Sequence, residues 1–113
     1  MKVLSIIGAR PQFVKEAIIQ NEIKKFDDIE EIIVHTGQHY DNNMSGIFFE
    51  VLNMRKPDYN LGIKATRHGE MTGKMIIKLE EIMIKEKPDI VVLYGDTNST
   101  LAGTIAASKL KIK

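Results

Sequence analysis

The chain alternates short apolar runs with segments in which apolar residues recur every three or four positions. The first run, Lys2–Ile7, is rich in β-branched residues and ends at Gly8, a pattern that predicts a buried strand. Residues 31–36 and 89–93 have a similar composition, and each is soon followed by a glycine. The sequence therefore predicts three buried strands, each with a glycine near its carboxyl end.

Helices are predicted between these strands. The clearest one ends at Pro88, and its apolar positions have helical spacing. These positions are Met71, Met75, Leu79, Ile82 and Met83. Another helix is expected to begin near Pro11, because a proline at the first helical position loses no hydrogen bond. Its predicted buried face consists of Phe13, Ala17, Ile18 and Ile23, and its predicted outer face includes Lys15, Glu16 and Lys24.

The remaining segments complete the alternation of strands and helices. Asp41 is a suitable N-cap for a helix that includes residues 47–52, and residues 55–63 are expected to form a connecting loop. Thr97 or Asn98 can cap a last helix. This order predicts an α/β fold with a parallel sheet and helices. Residues 110–112 have the pattern of an exit from that helix towards a further strand.

Composition excludes several classes of function. The 113 residues include 16 Lys and Arg, 15 Asp and Glu and no cysteine, which gives a net charge of +1. Balanced charge argues against nucleic-acid binding, and the lack of cysteine excludes a disulfide framework and a thiolate metal site. No apolar run approaches the roughly 18 residues of a membrane span, and the first run is too short for a secretory signal. We expect a cytoplasmic protein that binds neither nucleic acid nor membrane.

Candidate chemistry gathers in the turns that follow the three strands. Ligands of open α/β sheets bind beyond the carboxyl ends of the strands, so residues 8–12, 36–40 and 95–98 are expected to meet at one edge. The first turn leads into a helix N-terminus, which favours an anion such as phosphate. Arg10 adds a forked donor, and Lys15 adds a positive charge about one helical turn later. This combination predicts a phosphorylated small molecule as the ligand.

Each of these turns also has a purely structural interpretation. Residues 8–11 can form a simple strand-to-helix turn, Asp96 can be a helix N-cap, and His39 can be a hydrogen-bonded loop residue. His35 and His39 lie on either side of a glycine turn, so they do not form a pair of metal ligands on one helical face. No metal site is expected. The motifs of dinucleotide-binding, P-loop and α/β-hydrolase proteins do not occur in the sequence.

Five spaced motifs together carry a resemblance to a known family. They are Gly-Ala-Arg-Pro-Gln (8–12, with Lys15), His-Thr-Gly-Gln-His-Tyr (35–40), Pro-Asp-Tyr-Asn-Leu (57–61), Lys-Pro-Asp (87–89) and Tyr-Gly-Asp-Thr-Asn-Ser-Thr (94–100). In this order they resemble the N-terminal part of the non-hydrolysing UDP-N-acetylglucosamine 2-epimerases. The resemblance implies a glycosyltransferase-B-like fold with two Rossmann-like domains. Residues 1–113 would then be part of the N-terminal domain, and the C-terminal domain would lie outside this chain.

The resemblance also implies an activity. Such enzymes convert UDP-GlcNAc to UDP-ManNAc by eliminating UDP to give 2-acetamidoglucal and adding UDP back to the opposite face, without a cofactor. The family serves cell-surface polysaccharide synthesis and forms homodimers. The form Gly-Ala-Arg-Pro-Gln, in place of Gly-Thr-Arg-Pro-Glu, is similar to relatives that act on UDP-2,3-diacetamido-2,3-dideoxyglucuronate. Two other classes stay open, namely a non-catalytic half domain that binds a UDP-sugar or phosphate and a structural interaction protein.

Site residues follow from the resemblance position by position. Asp96 matches the catalytic carboxylate of the family, and Arg10 and Lys15 match residues that bind the UDP-sugar diphosphate. A possible second UDP-sugar site, with an activating role, would include Gln38, His39 and His68. Asp41 departs from the glutamine that activated members tend to carry, so regulation is left open. Because half of the implied active site would lie in the other domain, we expect residues 1–113 alone to be inactive.

Overall fold

The computed structural model describes residues 1–8, 10–37, 57–63, 67–95 and 97–113, without the side chains of Arg10 and Pro11. Strands and helices alternate along these residues. The elements are β1 (Lys2–Ile7), α1 (Arg10–Ile23), β2 (Glu30–His35), β3 (Tyr59–Asn60), α2 (His68–Glu86), β4 (Ile90–Val92) and α3 (Asn98–Lys109). The helix expected after Asp41 lies outside the described residues.

The described strands form a parallel sheet in the order β3-β2-β1-β4. β1 is central, and its register pairs Leu4 with Ile32 of β2 and with Val91 of β4. Because every strand runs in the same direction, all the carboxyl ends lie at one edge of the sheet. The predicted parallel sheet is confirmed, and Gly8, Thr36 and Gly95, which begin the three predicted strand exits, lie at that edge.

One face of the sheet is covered by α2 and α3 and is almost entirely apolar. The core on this side contains Leu4, Ile6, Val34, Ile63, Met75, Leu79, Ile82, Met83, Ala102, Ala106 and Ala107. α2 ends as its sequence predicts, because Lys87 takes a left-handed conformation and donates its N–H to the Met83 carbonyl just before Pro88. The apolar spacing of α2 thus gave its buried side correctly.

The other face is covered by α1, and here the buried side chains are partly polar. Ile7, Phe13, Ala17, Ile33 and Tyr94 form the apolar part of this core. The predicted outer position of Glu16 is wrong, because this side chain is fully buried, and Ile18, placed in the buried face, is 63% exposed. The true buried face of α1 contains residues 12, 13, 16, 17 and 20, of which three are polar.

Two further segments differ from expectation. Residues 55–63 include a short strand rather than only a loop, because Asp58 forms two hydrogen bonds with Ile33 of β2. The Asp58 N–H donates to the Ile33 carbonyl at 2.9 Å, and the Asp58 carboxylate accepts from the Ile33 N–H at 2.8 Å. β4 is partly exposed, not buried on both faces. At this edge the Val91 N–H donates to the Lys113 carbonyl at 2.6 Å.

Within the described ranges, no helix is both long and apolar enough to cross a membrane.

Candidate functional site

The exits of β1, β2 and β4 pack directly against one another. Thr36, after β2, and Ser99, in the first turn of α3, are both buried, and their hydroxyl oxygens lie 2.8 Å apart. Gly8 lies beneath this pair. A Cβ atom at Gly8 would come within 2.3 Å of Ser99 Oγ and 2.5 Å of Thr36 Oγ1. Glycine is therefore the residue that lets the three exits close around one point.

Gln12 joins the exit of β1 to that of β4. Its Oε1 accepts the N–H of Gly8 at 2.7 Å, and its Nε2 donates to the carbonyl of Tyr94 at 2.7 Å and to Thr97 Oγ1 at 3.1 Å. The side chain is almost fully buried. A single amide, with its acceptor and its donors both used, thus holds the start of α1, the end of β4 and the start of α3 together.

A buried polar cluster lies one helical turn further along α1. The Tyr94 hydroxyl donates to Glu16 Oε1 at 2.7 Å, and Ser5 Oγ donates to Glu31 Oε2 at 2.8 Å. Burial, followed by a hydrogen bond with Glu31, raises the pKa of Glu16 to about 8. Burial and the contact with Glu16 likewise raise the pKa of the Tyr94 hydroxyl. Glu16 therefore carries a proton at neutral pH, which lets two carboxyl groups share a buried space.

Helix N-termini point to the same edge of the sheet. α1 begins at Arg10, and α3 begins at Asn98 behind an N-cap, Thr97, whose side chain accepts the Thr100 N–H. Free N–H groups and the helix dipole favour an anion at such positions. Lys15 lies in the second turn of α1 and is exposed. This edge can therefore attract and hold a negatively charged group.

The predicted site residues fall on this edge to different extents. Arg10 is the first residue of α1, but its side chain is outside the described part, as are Asp96, Gln38 and His39. The neighbours of Asp96 are described, and they follow the Tyr94 carbonyl that Gln12 holds. His68 begins α2 and is exposed, with its Nδ1 2.8 Å from Nδ2 of Asn98. The structure thus brings His68 close to the β4 exit, next to the start of α3.

His35, the other histidine near the β2 exit, has a structural role. It is fully buried, its Nδ1 accepts the Gly37 N–H at 2.8 Å, and its ring lies 5.1 Å from that of Phe13. Gly37 has φ of +85°, a conformation that favours glycine. His35 therefore shapes the turn that leads to Gln38 and His39.

The sequence reasoning did not identify Gln12 and Glu16 as members of this assembly. A signal for them exists in the pattern, because Gln12, Glu16 and Gln20 are spaced by four and share a face with Phe13 and Ala17. Ser5 is likewise an isolated polar residue between apolar residues of β1. Polar residues at core spacing on two elements that pack together indicate a buried polar network.

Comparison with known proteins identifies the family. The sequence profile described as UDP-N-acetylglucosamine 2-epimerase matches residues 21–113. UDP-2,3-diacetamido-2,3-dideoxy-D-glucuronate 2-epimerase of Pseudomonas aeruginosa is 57% identical over 99% of this chain and 32% of its own length. A UDP-N-acetylglucosamine 2-epimerase homolog of Methanococcus maripaludis is also 57% identical, over 100% of this chain and 31% of its own.

A solved structure gives the same result. The Methanocaldococcus jannaschii UDP-GlcNAc 2-epimerase in complex with UDP-GlcNAc and UDP has a TM-score of 0.94 and 51% identity, over 100% of this chain and 31% of that one. The present chain spans about a third of the length of these relatives. The predicted fold class, a Rossmann-like parallel sheet with helices on both faces, as in the N-terminal part of a glycosyltransferase-B-like fold, is confirmed. The chain belongs to the UDP-N-acetylglucosamine 2-epimerase family.

Proposed function

We propose that this chain is the N-terminal, UDP-sugar-binding part of a UDP-N-acetylglucosamine 2-epimerase. The observation that carries the proposal is the closed junction of strand exits, in which Gln12 ties the N-terminus of α1 to the turn that follows Tyr94. This arrangement sets an anion-attracting helix end beside the segment that contains Asp96. A sugar nucleotide has the matching chemistry, because its diphosphate is anionic and is attached to the reacting sugar.

The proposed reaction assigns a role to each site residue. A base removes the C2 proton, the bond between C1 and the diphosphate oxygen breaks, and UDP leaves a 2-acetamidoglucal. Addition of UDP at C1 and of a proton at the opposite face of C2 gives the epimer, so atoms and charges balance without a cofactor. Arg10 and Lys15 hold the diphosphate as it gains charge, and Asp96 acts as an acid/base group or orients the sugar.

The remaining expectations are part of the same proposal. A C-terminal domain would complete the cleft, and Gln38, His39 and His68 would contribute to a second UDP-sugar site. We also propose that the enzyme is cytoplasmic, acts in cell-surface polysaccharide biosynthesis and forms a homodimer, as the resemblance to the family implies.

A second substrate is favoured by one specific observation. The Pseudomonas aeruginosa relative, which is 57% identical, is named for UDP-2,3-diacetamido-2,3-dideoxy-D-glucuronate. Its substrate shares the nucleotide and the C2 acetamido group with UDP-GlcNAc, so the same chemistry would apply. The two sugars differ at C3 and C6, and a comparison of their affinities for the chain distinguishes the two candidates.

The test is proton NMR of the 113-residue chain with UDP-GlcNAc in D2O. We expect saturation transfer to the ligand without loss of the C2 proton signal, because half a cleft binds but does not catalyse. Lys15→Ala should weaken binding about tenfold, since it removes the positive charge that we assign to the diphosphate. Lys24→Ala is the matched control, because Lys24 is an exposed lysine immediately after the same helix. Absence of binding, or equal affinity of the two variants, would contradict the proposal.

A further inference from the structure

Two residues of α1, one helical turn apart, hold the same residue of the β4 exit by different atoms. Gln12 Nε2 donates to the backbone carbonyl of Tyr94, and Glu16 Oε1 accepts from its hydroxyl, both at 2.7 Å. All three side chains lie in the interior of the protein. Tyr94 is thereby fixed in both the position of its backbone and the direction of its ring.

We propose that Gln12 and Glu16 are positioning residues of the UDP-sugar site, which act through Tyr94 to fix the turn at residues 95–97 against the N-terminus of α1. The inference rests on the proposed function. Neither residue is required to touch the ligand. Their effect is to set the separation between the anion-binding end of α1 and the segment that carries Asp96.

The connections on either side of Tyr94 explain why this separation depends on so few contacts. The Tyr94 carbonyl also accepts from Thr100 Oγ1 at 2.5 Å, and Gln12 reaches Thr97 Oγ1 as well as the Gly8 N–H. The same amide therefore holds Tyr94, the residue before the turn, and Thr97, its last residue. Loss of that amide would leave α3 capped but would release the Tyr94 carbonyl and Thr97 from α1, with Glu16 still bound to the Tyr94 hydroxyl.

In this chain position 12 uses both groups of an amide, although the form Gly-Thr-Arg-Pro-Glu of other members carries a carboxyl group there. Gln12 uses one acceptor and one donor group on opposite sides, toward a backbone N–H and a backbone carbonyl. A carboxylate of the same shape would accept from Gly8 but would place a negative charge against the Tyr94 carbonyl. A protonated carboxyl group would restore one donor. This difference gives a test that separates positioning from simple packing.

The first measurement is the affinity of the 113-residue chain for UDP-GlcNAc, compared between Gln12→Met and Gln20→Met. Gln20 is a buried amide on the same face of α1, two turns further from the strand exits, so both variants lose a buried amide. We expect Gln12→Met to weaken binding about tenfold and Gln20→Met to leave it within about twofold. Equal affinities, measured well below both unfolding midpoints, would overturn the inference.

The second measurement uses Gln12→Glu and the pH dependence of its affinity. UDP-GlcNAc keeps the same charge over this range, so changes report on the protein. We expect the variant to bind about tenfold more weakly than the wild type at about pH 8 and to recover most of this loss at about pH 5, where the new carboxyl is protonated. A loss that does not depend on pH would indicate a packing defect and would overturn the positioning role of Gln12.

The role of Glu16 is tested by a conservative pair of variants. Glu16→Gln keeps an oxygen that accepts from the Tyr94 hydroxyl, so its affinity should stay within about twofold of the wild type, whereas Glu16→Leu should bind about fivefold to tenfold more weakly. Equal affinity of Glu16→Leu and Glu16→Gln would overturn the role of Glu16. If the wild type itself does not bind UDP-GlcNAc, the proposed function fails and this inference fails with it. Binding by the wild type with no effect of these variants overturns the inference alone.

Discussion

The two faces of the sheet share the same strands but are built from different side chains. Under α2 and α3 the core is aliphatic or methionine, with small alanines on α3, and the buried hydroxyls of Thr36 and Ser99 lie at its edge, by the strand exits. Under α1 the buried set includes Ser5, Gln12, Glu16, Glu31 and His35. The apolar face holds the fold together by burial, and the polar face sets the positions of the strand exits. This division predicts that mutations on the two faces fail in different ways.

The largest effect is expected from truncation on the apolar face. Leu79→Ala removes a fully buried side chain of α2 and leaves a cavity, which should lower the free energy of unfolding by about 2–5 kcal/mol. Ile77→Ala on the same helix should change it by less than about 0.5 kcal/mol, because Ile77 is 60% exposed. Urea denaturation measures both. Similar losses for the two variants would show that the apolar face is not the main source of stability.

The junction between the faces is tested at Gly8. Gly8→Ala places a methyl group against the Thr36–Ser99 pair and should lower the free energy of unfolding by about 1–3 kcal/mol. Gly73→Ala is the control, because no atom lies within 4 Å of a Cβ there and Gly73 is inside α2. That variant should gain about 0.5–1 kcal/mol. Unchanged stability of Gly8→Ala would mean that the strand exits are less tightly closed than their contacts indicate.

The pH dependence of stability distinguishes the polar face from the apolar one. Folding raises the pKa of Glu16 from 4.5 to about 8, in contact with Glu31, Ser5 and Tyr94 from three other elements. The folded state therefore binds a proton more tightly than the unfolded state. The stabilisation is complete below pH 4.5 and is lost as the pH rises towards 8, by about 1.4 kcal/mol per pH unit at its steepest.

Glu16→Gln should remove this dependence, because the amide needs no proton to be buried beside Glu31. Its stability relative to the wild type should rise with pH across the same interval, as measured by urea denaturation at several pH values. Glu22→Gln, on the exposed side of α1, serves as the control for the loss of one negative charge. The loss caused by Leu79→Ala should be the same at every pH. Parallel pH curves for the wild type and Glu16→Gln would rule out a protonated Glu16 in the fold.

The same division explains how much could be read from the sequence. Apolar spacing gave α2, the three main strands and the parallel sheet, because burial of hydrophobic side chains dominates those elements. It failed at Ile18 and Glu16. Hydropathy assigned Ile18 to the core and Glu16 to the surface, but Glu16 is buried because it forms hydrogen bonds across the fold, and Ile18 is exposed. β3 was missed because it is only two residues long and is held to β2 by the residues that flank it, Asp58 to Ile33 and Leu61 to His35. Periodicity cannot reveal a specific pairing of this kind.

The candidate site was partly predictable for a related reason. The glycine that follows each strand marked the edge where ligands bind, and this edge is where Gly8, Thr36 and Ser99 meet. The sequence placed Gln12 at this edge as part of the turn at residues 8–12, but it did not predict the contacts of its side chain. Its contacts connect residues 8, 94 and 97, which are up to 89 positions apart in the chain. A local sequence pattern therefore cannot predict them.

The smallest effect is expected on the exposed side of α2, which provides the baseline for both faces. Lys74 Nζ lies 2.9 Å from Glu70 Oε1, one turn earlier, and both side chains are about half exposed. Lys74→Met should cost about 0.3–0.5 kcal/mol in low salt and almost nothing in high salt, because water and ions screen such a pair. Thermal denaturation at two salt concentrations measures this difference. A loss of stability above about 1 kcal/mol that persists in high salt would contradict this expectation. Surface charge would then contribute as much as the buried polar network. The contrast between the two faces would no longer account for the stability of the fold.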